Sequence, residues 1–492
     1  MIRQLLLNHT NDNRISIMDG DETVSYRMLC QKAAALQQQL QRLSQGSTAV
    51  FLPNDADYIA AFFGVLMSGR TVFPLNFHLT GYEVAGLLKQ ASVSAVITSL
   101  NFQPLFEQIN ECASGRIPVI YMENLPSCTC KNIDPPPEAG ADQPAVLLCT
   151  SGTTGNAKIV KLSEQNLDSC ILSYLDKMDF EKYAGQHIRY VIATPFFTAY
   201  GIMILAACIY RAFPFVLLKD GFTLDLLYSA VEAHRITHYE GGASTAILMD
   251  QLAGRTVPYD ISSLKYLGFG GSKVSQELFA RLSEAYPGIE FWPGYGMTEA
   301  SPLIAKPYKR LPAEKSASVG TAINEEKILI EADGTVTDTP HTVGEIIVSG
   351  PNIMLGYLGK EEETRKIVKN GYLYTGDIGY LDEDGYLYIC GRKKNIIIVR
   401  GFNVYPEEVE ACILNSGLAL DCRVYKIPDP NGNETVCADV IPAAAAVREE
   451  DIRAYCRSHL SGYKQPQQIQ LINRFSKTAT GKNISQRSAE AR

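Results

Sequence analysis

Residues 145–158 read Ala-Val-Leu-Leu-Cys-Thr-Ser-Gly-Thr-Thr-Gly-Asn-Ala-Lys, and the character of the chain changes in the middle of them. Val146–Cys149 is an apolar run of strand length. Directly after it come seven small or flexible residues, Thr150 to Asn156, and Lys158 then closes the loop. Glycines let backbone N–H groups turn toward an anion, hydroxyls add donors, and the lysine adds charge. The run is not a Walker A motif, because the glycine spacing is wrong and it contains no Gly-Lys-Ser/Thr. An anion nest and an ordinary surface loop share these residues, so composition alone leaves both open.

Strand and helix patterns alternate from Ala145 to about Gly294. Further strand-like runs lie at Tyr190–Ala193, Phe213–Leu218 and Leu264–Gly268. In the helical pattern after Ser163, a plausible N-cap, Leu167, Cys170, Ile171, Tyr174 and Leu175 fall at i, i+3, i+4, i+7 and i+8, one buried stripe. Alternation of this kind implies an α/β fold with a largely parallel sheet covered on both faces. Upstream, Cys128 to Pro144 holds Pro135-Pro136-Pro137 and reads as a surface connection between subdomains. Downstream of Pro302, the short strand-like segments Lys327–Glu331, Glu345–Val348, Tyr372–Tyr374 and Tyr386–Ile389 are joined by turns such as Asp333-Gly334 and Asp384-Gly385. They predict a small antiparallel sheet or barrel. From Lys394 a small α+β unit follows: strand Ile396–Val399, helix Glu407–Leu414, strands around Arg423–Ile427 and Cys437–Ile441, and helix Glu449–Leu460.

A chain of 492 residues is too long for one ordinary core, so two or three domains are expected. With 46% apolar and 20% charged residues it reads as a globular, water-soluble protein. A net charge of −8 and the lack of any Lys/Arg-rich run argue against a nucleic-acid partner. The 12 cysteines are scattered, mostly in apolar runs, and the one tight pair, Cys128 and Cys130, has no zinc-like companion. Only Leu5-Leu6-Leu7 precedes polar sequence, and no apolar stretch reaches the ~20 residues of a membrane span. The expected location is cytoplasmic, and the expected assembly a monomer or homodimer.

Three further stretches carry chemistry. Gly294-Tyr295-Gly296-Met297-Thr298-Glu299 follows a strand; its Thr298 could meet a phosphate and its Glu299 a Mg²⁺ ion, or Thr298 could simply cap a helix. Tyr374-Thr375-Gly376-Asp377 is followed by Gly391-Arg392-Lys393-Lys394 and by Gly401-Phe402-Asn403. A carboxylate such as Asp377 can chelate two ribose hydroxyls, or serve as a turn residue. Thr478-Ala479-Thr480-Gly481-Lys482 lies near the end in a polar loop.

In order and spacing these four stretches resemble the acyl-adenylate-forming superfamily: acyl- and aryl-CoA ligases, adenylation domains of nonribosomal peptide synthetases, and beetle luciferases. The resemblance runs from Val24-Ser25-Tyr26 to Lys482. It implies a large N-terminal domain of stacked α/β subdomains with a small β-barrel-like subdomain (1–392), a hinge at 393–394 centred on Lys394, and a small mobile α+β domain (395–492). It further implies that Thr150, Ser151, Gly152, Thr153, Thr154, Gly155 and Lys158 hold the β- and γ-phosphates of ATP. Gly270, Gly271 and Ser272 would pack against adenine, Tyr295 would belong to the same ATP site, and Asp377 with Arg392 would grip the ribose. Thr298 would meet the α-phosphate and Glu299 would bind Mg²⁺. Lys482 would contact the substrate carboxylate and the α-phosphate, while Gly401 and Phe402 would line the tunnel of the accepting thiol.

The resemblance also locates an acyl pocket, lined by Phe197, Tyr200, Ile204, Gly242, Ala243, Gly296, Met297 and Leu303. Its apolar and aromatic lining suits an aromatic or medium aliphatic carboxylic acid. Amino-acid-activating relatives place an Asp near Thr198, and a threonine there cannot neutralise a buried ammonium. Glu240 is either paired structurally or meets a polar group of the substrate. The chain departs from the family pattern at Ala157 and Ile159, which flank Lys158 where Pro and Gly are usual, and at Glu164, Thr198 and Ser476. The expected function is ATP- and Mg²⁺-dependent formation of acyl-AMP, followed by transfer to coenzyme A. Alternatives are transfer to a carrier protein's phosphopantetheine, and a non-catalytic acyl or nucleotide sensor.

Overall fold

The computed structural model describes residues 1–19, 22–112, 115–126, 135–138, 140, 142–150, 158–183, 187–218, 222–253, 257–271, 276–309, 311–399, 402–428 and 434–475. The chain is mixed α/β and divides into two units. The first comprises Met1–Ile328, Ile347–Tyr374 and Gly385–Leu387, and the second Leu329–Ile346, Thr375–Asp384 and Tyr388–Arg492.

Two seven-stranded sheets organise the first unit. One runs in the order Glu290–Pro293, Tyr266–Gly270, His238–Gly242, Tyr190–Ile192, Phe215–Leu217, Ile15–Asp19, Glu22–Ser25. Its strands are parallel except the last, an antiparallel edge. Pro144–Cys149 does not join this sheet, although the alternation from Ala145 to Gly294 suggested one sheet for the whole segment. It lies in the other, parallel to Thr71–Pro74 and antiparallel to Ile159–Ser163. The reason is local: Thr150 N–H donates to Lys158 O at 2.9 Å, so the antiparallel pairing with Ile159–Ser163 continues to the strand ends and the two strands stay together.

The helices that position the candidate residues start at side-chain caps. Ser163 Oγ accepts from Asn166 N–H at 3.1 Å, and Asn166 Oδ1 accepts from Ser163 N–H at 2.8 Å, a capping box that opens Glu164–Lys177. The expected stripe of that helix is buried at Leu167, Cys170, Ile171 and Tyr174, with Leu175 packed partly buried against the same core. Thr198 Oγ1 accepts from Gly201 N–H at 3.1 Å and opens the helix Ala199–Arg211. A cap of this kind contributes about 1 kcal/mol. The same hydroxyl donates to Pro195 O at 2.7 Å, and a Cβ on Gly201 would fall 2.2 Å from that carbonyl oxygen. Helix start and preceding loop therefore require a glycine at 201. These helices share one core with Tyr26–Leu40 and Ala56–Met67.

In the second unit, Asp333 and Gly334 both take positive φ (50° and 79°) and turn Lys327–Ala332 into Thr335–Thr337. The strand expected at Tyr372–Tyr374 runs on to Leu381, kinked at Gly376 with φ +73°. It lies between Gly344–Ser349 and Leu387–Arg392 in a six-stranded sheet. The α+β part pairs Ala419–Pro428 antiparallel with Glu434–Pro442, which runs parallel to Gln468–Leu471. Helices Pro406–Asn415 and Glu449–His459 cover it around Val404, Ile413, Val424, Val440 and Ile452. No helix among the described residues is long and apolar enough to cross a membrane.

Candidate active site

The C-terminal ends of parallel strands are where an open α/β sheet places ligands, and two of the candidate stretches begin there. The strand His238–Gly242 carries Glu240 inward. Its carboxylate is buried and fully engaged: Oε1 accepts from Tyr266 Oη at 2.7 Å and Tyr174 Oη at 2.9 Å, with Lys306 Nζ at 3.3 Å, and Oε2 accepts from Tyr200 Oη. Tyr174 Oη also lies 3.3 Å from Tyr190 Oη, which extends the network by one ring. Burial lowers the affinity of the Lys306 ammonium for its proton, and the adjacent Glu240 works against that. Glu240 is thus paired structurally, the first of the two alternatives. A Cβ on Gly268 would sit 1.9 Å from Glu240 Oε2, so the neighbouring strand leaves room for the carboxylate only because it has glycine there. Nearby His238 stays neutral, its pKa pushed down to about 3 by burial.

The loop before Tyr200 is fixed from the other sheet's side. Asn54 Nδ2 donates to Thr194 O at 2.9 Å, Asn54 Oδ1 accepts from Phe196 N–H at 3.0 Å, and Tyr58 Oη donates to Phe196 O at 2.7 Å. Backbone groups that would otherwise be unpaired in the interior are satisfied by these two side chains.

Glu299 sits in a short 3₁₀ turn, Thr298–Ala300, whose N-cap is Met297 rather than Thr298. Its carboxylate is buried, and Oε1 accepts from Tyr357 Oη at 2.7 Å. Burial, then the Glu299 charge, push the Tyr357 hydroxyl well above the usual range, so it stays a donor. Lys158 Nζ lies 4.7 Å over the Tyr357 ring and pairs with Glu363 Oε2 at 2.6 Å. Lys158, Tyr357 and Glu299 therefore form one chain of contacts. Asn352 Nδ2 holds the turn by donating to Ala300 O and Leu303 O, each at 3.0 Å. Gly296 is obligatory, since a Cβ there would meet Pro302 O at 1.8 Å.

In the second unit, Asp377 is buried on the kinked strand, and Arg392 Nε pairs with its Oδ1 at 2.6 Å while the guanidinium remains exposed. Thr375 Oγ1 accepts from Asp377 N–H at 3.1 Å and donates to Ile346 O at 2.8 Å. Glu345 holds the same kink, accepting from Gly376 N–H at 3.1 Å and from Lys393 Nζ at 2.6 Å. Two residues that are 15 apart in sequence, Asp377 and Arg392, are thereby brought together.

Of the other expected site residues, Thr150 and Lys158 continue the pairing of their strands, Gly270 ends its strand within 3.1 Å (from a Cβ) of Gly294 O, and Gly271 has φ +83°. Tyr295 begins the short pair Tyr295–Gly296. In the acyl set, Phe197, Tyr200 and Met297 are half-buried, Gly242 and Gly296 exposed, and Ile204, Ala243 and Leu303 buried. Lys394 is exposed in a 3₁₀ turn. Ser151, Gly152, Thr153, Thr154, Gly155, Ala157, Ser272, Gly401, Ser476 and Lys482 lie outside the described residues, as does the side chain of Phe402. Sequence reasoning missed Tyr357, Lys306 and Asn352. None belongs to a motif, and only their contacts across the fold single them out.

The model of the AMP-binding enzyme family matches residues 7–358, and that of the AMP-binding enzyme C-terminal domain matches 408–482. A feruloyl-CoA synthase of Amycolatopsis sp is 30% identical over 95% of this chain and 94% of its own. A long-chain-fatty-acid–CoA ligase of Bacillus subtilis (strain 168) is 30% identical over 90% and 85%. The solved structure of O-succinylbenzoate coenzyme A synthetase from Bacillus subtilis, in complex with ATP and a magnesium ion, superposes with a TM-score of 0.81 at 25% identity, covering 98% of each chain.

The geometry around Glu240 makes a stability prediction. Glu240→Leu strands a buried ammonium and three tyrosine hydroxyls, and is expected to lower the unfolding free energy by about 3–5 kcal/mol. Glu240→Gln keeps an acceptor for the hydroxyls and is expected to cost less, and adding Lys306→Met should restore part of that loss. Urea titration of the three variants checks the ranking. Equal losses in all three would mean that charge pairing is not what the site supplies.

Proposed function

Because the chain belongs to the AMP-binding enzyme family, we infer that it is an AMP-forming acid–CoA ligase. It activates a carboxylic acid with ATP, releases pyrophosphate, and transfers the acyl group from acyl-AMP to the thiol of coenzyme A. The observation that carries the reading at residue level is the buried Glu299 carboxylate held by Tyr357 beside Lys158.

A carboxylate is already ionised at neutral pH and needs no general base to act as nucleophile. The obstacle is electrostatic: it must approach an anionic phosphate, and negative charge spreads over the phosphoryl oxygens as it does so. Hard oxygen ligands suit Mg²⁺, which is commonly held by one or two carboxylates together with substrate phosphates. Glu299 fits, with a buried carboxylate of which one oxygen takes the Tyr357 hydroxyl. When bound, the ion neutralises charge on the phosphate oxygens. Lys158 and the loop from Thr150 to Gly155 are assigned to the β- and γ-phosphates, Thr298 and Lys482 to the α-phosphate, and Gly270, Gly271, Ser272 and Tyr295 to the adenine end. Asp377 and Arg392 are assigned to the ribose. The acid is aromatic or medium-chain aliphatic, held by the Phe197–Leu303 set named above.

Pyrophosphate exchange across a panel of aryl and fatty acids tests the reaction directly. With the best acid, Lys482→Ala is expected to lower exchange by about 10²-fold or more, the loss of one preorganised charge at a transition state. Thioester formation from supplied acyl-AMP should be nearly spared. Equal loss in both half-reactions would remove Lys482 from its role.

Asp377→Ala is expected to raise the ATP KM with little change in kcat, since ribose contacts serve ground and transition states alike. Glu299→Gln should lower kcat and raise the Mg²⁺ concentration needed for half-maximal rate. A Glu299→Gln enzyme with the parental Mg²⁺ dependence would place the metal elsewhere.

Lys482 serves adenylation, whereas Gly401 and Phe402 are assigned to the later thiol step. We therefore divide the chain functionally at 393–394, with 1–392 and 395–492 on either side and Lys394 as the hinge. A proline at 394 fixes φ near −65°. Lys394→Pro is expected to leave one half-reaction running and abolish the other, as read by pyrophosphate exchange and thioester assays on the same preparation. Full turnover at the parental rate would remove the hinge from Lys394.

A further inference from the structure

Glu240 and Lys306 are a buried ion pair that the adenylation chemistry above does not use. Among the described residues, every member of their network but one is buried. Glu240, Lys306, Tyr174, Tyr190 and Tyr266 are buried, whereas Tyr200 is half-buried and is the member that belongs to the proposed acyl pocket. The ammonium cannot turn toward a ligand. It is buried against Tyr266, Tyr174 and Trp292, whose ring centroids lie 5.4, 5.6 and 5.9 Å away.

We propose that the Tyr200–Glu240–Lys306 network determines which acids are accepted: it makes Tyr200 an uncharged wall backed by a negative charge, so the pocket takes acids whose body is uncharged and rejects those with a second carboxylate. The inference rests on the reading that Tyr200 lines the acyl pocket. The Tyr200 hydroxyl keeps its proton and has already committed it to a hydrogen bond with Glu240 Oε2. Toward a ligand it has its ring and the oxygen's remaining acceptor capacity to offer, and neither stabilises an anion. Behind it the carboxylate is charged, and its counter-ion sits on the Oε1 side, 3.3 Å away. A ligand at the wall therefore meets the negative end of the pair first. The remaining lining residues, Phe197, Ile204, Gly242, Ala243, Gly296, Met297 and Leu303, are all uncharged. A second carboxylate would lose its water and gain no cation in exchange. Direct hydrogen bonding of Glu240 to a substrate hydroxyl is disfavoured, because its oxygens already accept from three tyrosines and the lysine.

The test is equilibrium binding by calorimetry, on the full chain, of AMP, cinnamoyl-sulfamoyl-adenosine and its 4-carboxycinnamoyl analogue. The wild type is expected to bind the uncharged analogue at least about 100-fold more tightly than the dicarboxylic one. Glu240→Gln should reduce that ratio to about tenfold or less, with AMP affinity unchanged within about twofold. Glu240→Gln/Lys306→Met, in which no charge is left unpaired, serves as the second variant and should likewise reduce the ratio to about tenfold or less, the remainder being the desolvation of the second carboxylate. A ratio that stays near the wild-type value in both variants, with AMP binding intact, overturns the inference and leaves the network a purely structural pair. A wild type that binds AMP but gains nothing from either acyl group would overturn the acyl-pocket reading itself, and this inference with it.

Discussion

A carboxylate can be buried in a protein only where donors and a counter-charge replace the water it loses. Glu240 imposes that condition on the middle of the first unit. Its partners come from the helix Glu164–Lys177, the helix Ala199–Arg211, the adjacent strand Tyr266–Gly270 and the strand Leu303–Lys306. Four elements must therefore arrive in register around one side chain. The tyrosines do two jobs at once, filling apolar volume with their rings and supplying polar tips. Gly268 completes the set by leaving out the atom that would occupy the carboxylate's place. Such an arrangement is costly to disturb at any one member, because each loss leaves another buried polar group unpaired.

The same economy of space governs the loops at the strand ends. Gly201 and Gly296 each stand where a Cβ would collide with a carbonyl oxygen, of Pro195 and Pro302 respectively. Both collisions involve backbone rather than a flexible side-chain end, so the chain cannot yield without moving the helix start or the turn. These glycines hold Thr198–Tyr200 and Met297–Glu299 in place, and the chemistry proposed for those segments depends on a placement accurate to fractions of an ångström.

Much of this was legible in the sequence, and the limits have physical causes. The apolar spacing after Ser163 predicted both the cap and the buried stripe of Glu164–Lys177, since cap and periodicity are local properties. The Asp333-Gly334 turn was legible for the same reason. Partner choice between strands is not local. Val146–Cys149 reads equally well as a member of either sheet, because a strand buried on both faces has the same composition wherever it pairs. The Tyr372–Leu381 strand was expected to end early because Thr375-Gly376-Asp377 looks like a turn, and the glycine in fact kinks a continuing strand. At the site, the family resemblance set Asp377 beside Arg392 as ribose partners, and the structure joins them in an ion pair, whereas Tyr357, 58 residues from Glu299, carries no pattern that would reveal their hydrogen bond.

Glu240 and Glu299, two buried carboxylates of this chain, differ chiefly in how far their acceptor capacity is filled among the described residues, and Asp377 differs from both in the exposure of its ion-pair partner. A carboxylate offers roughly four acceptor sites. At Glu240 three hydroxyls and an ammonium take them, so the group is closed to any ligand and can act only through its charge and through Tyr200. At Asp377 one oxygen meets an exposed guanidinium, an arrangement that leaves the arginine able to turn toward a ligand without unfolding its surroundings. Glu299 has the hydroxyl of Tyr357 as its hydrogen-bond partner among the described residues, and the nearby Lys158 ammonium is turned to Glu363 instead. A buried carboxylate held by one neutral donor, with a cation close but committed elsewhere, retains both the charge and the lone pairs that a hard metal ion requires. Saturation closes Glu240, and its absence suits Glu299 to the metal role proposed for it, so the same residue type is assigned selection in one place and metal-assisted chemistry in the other.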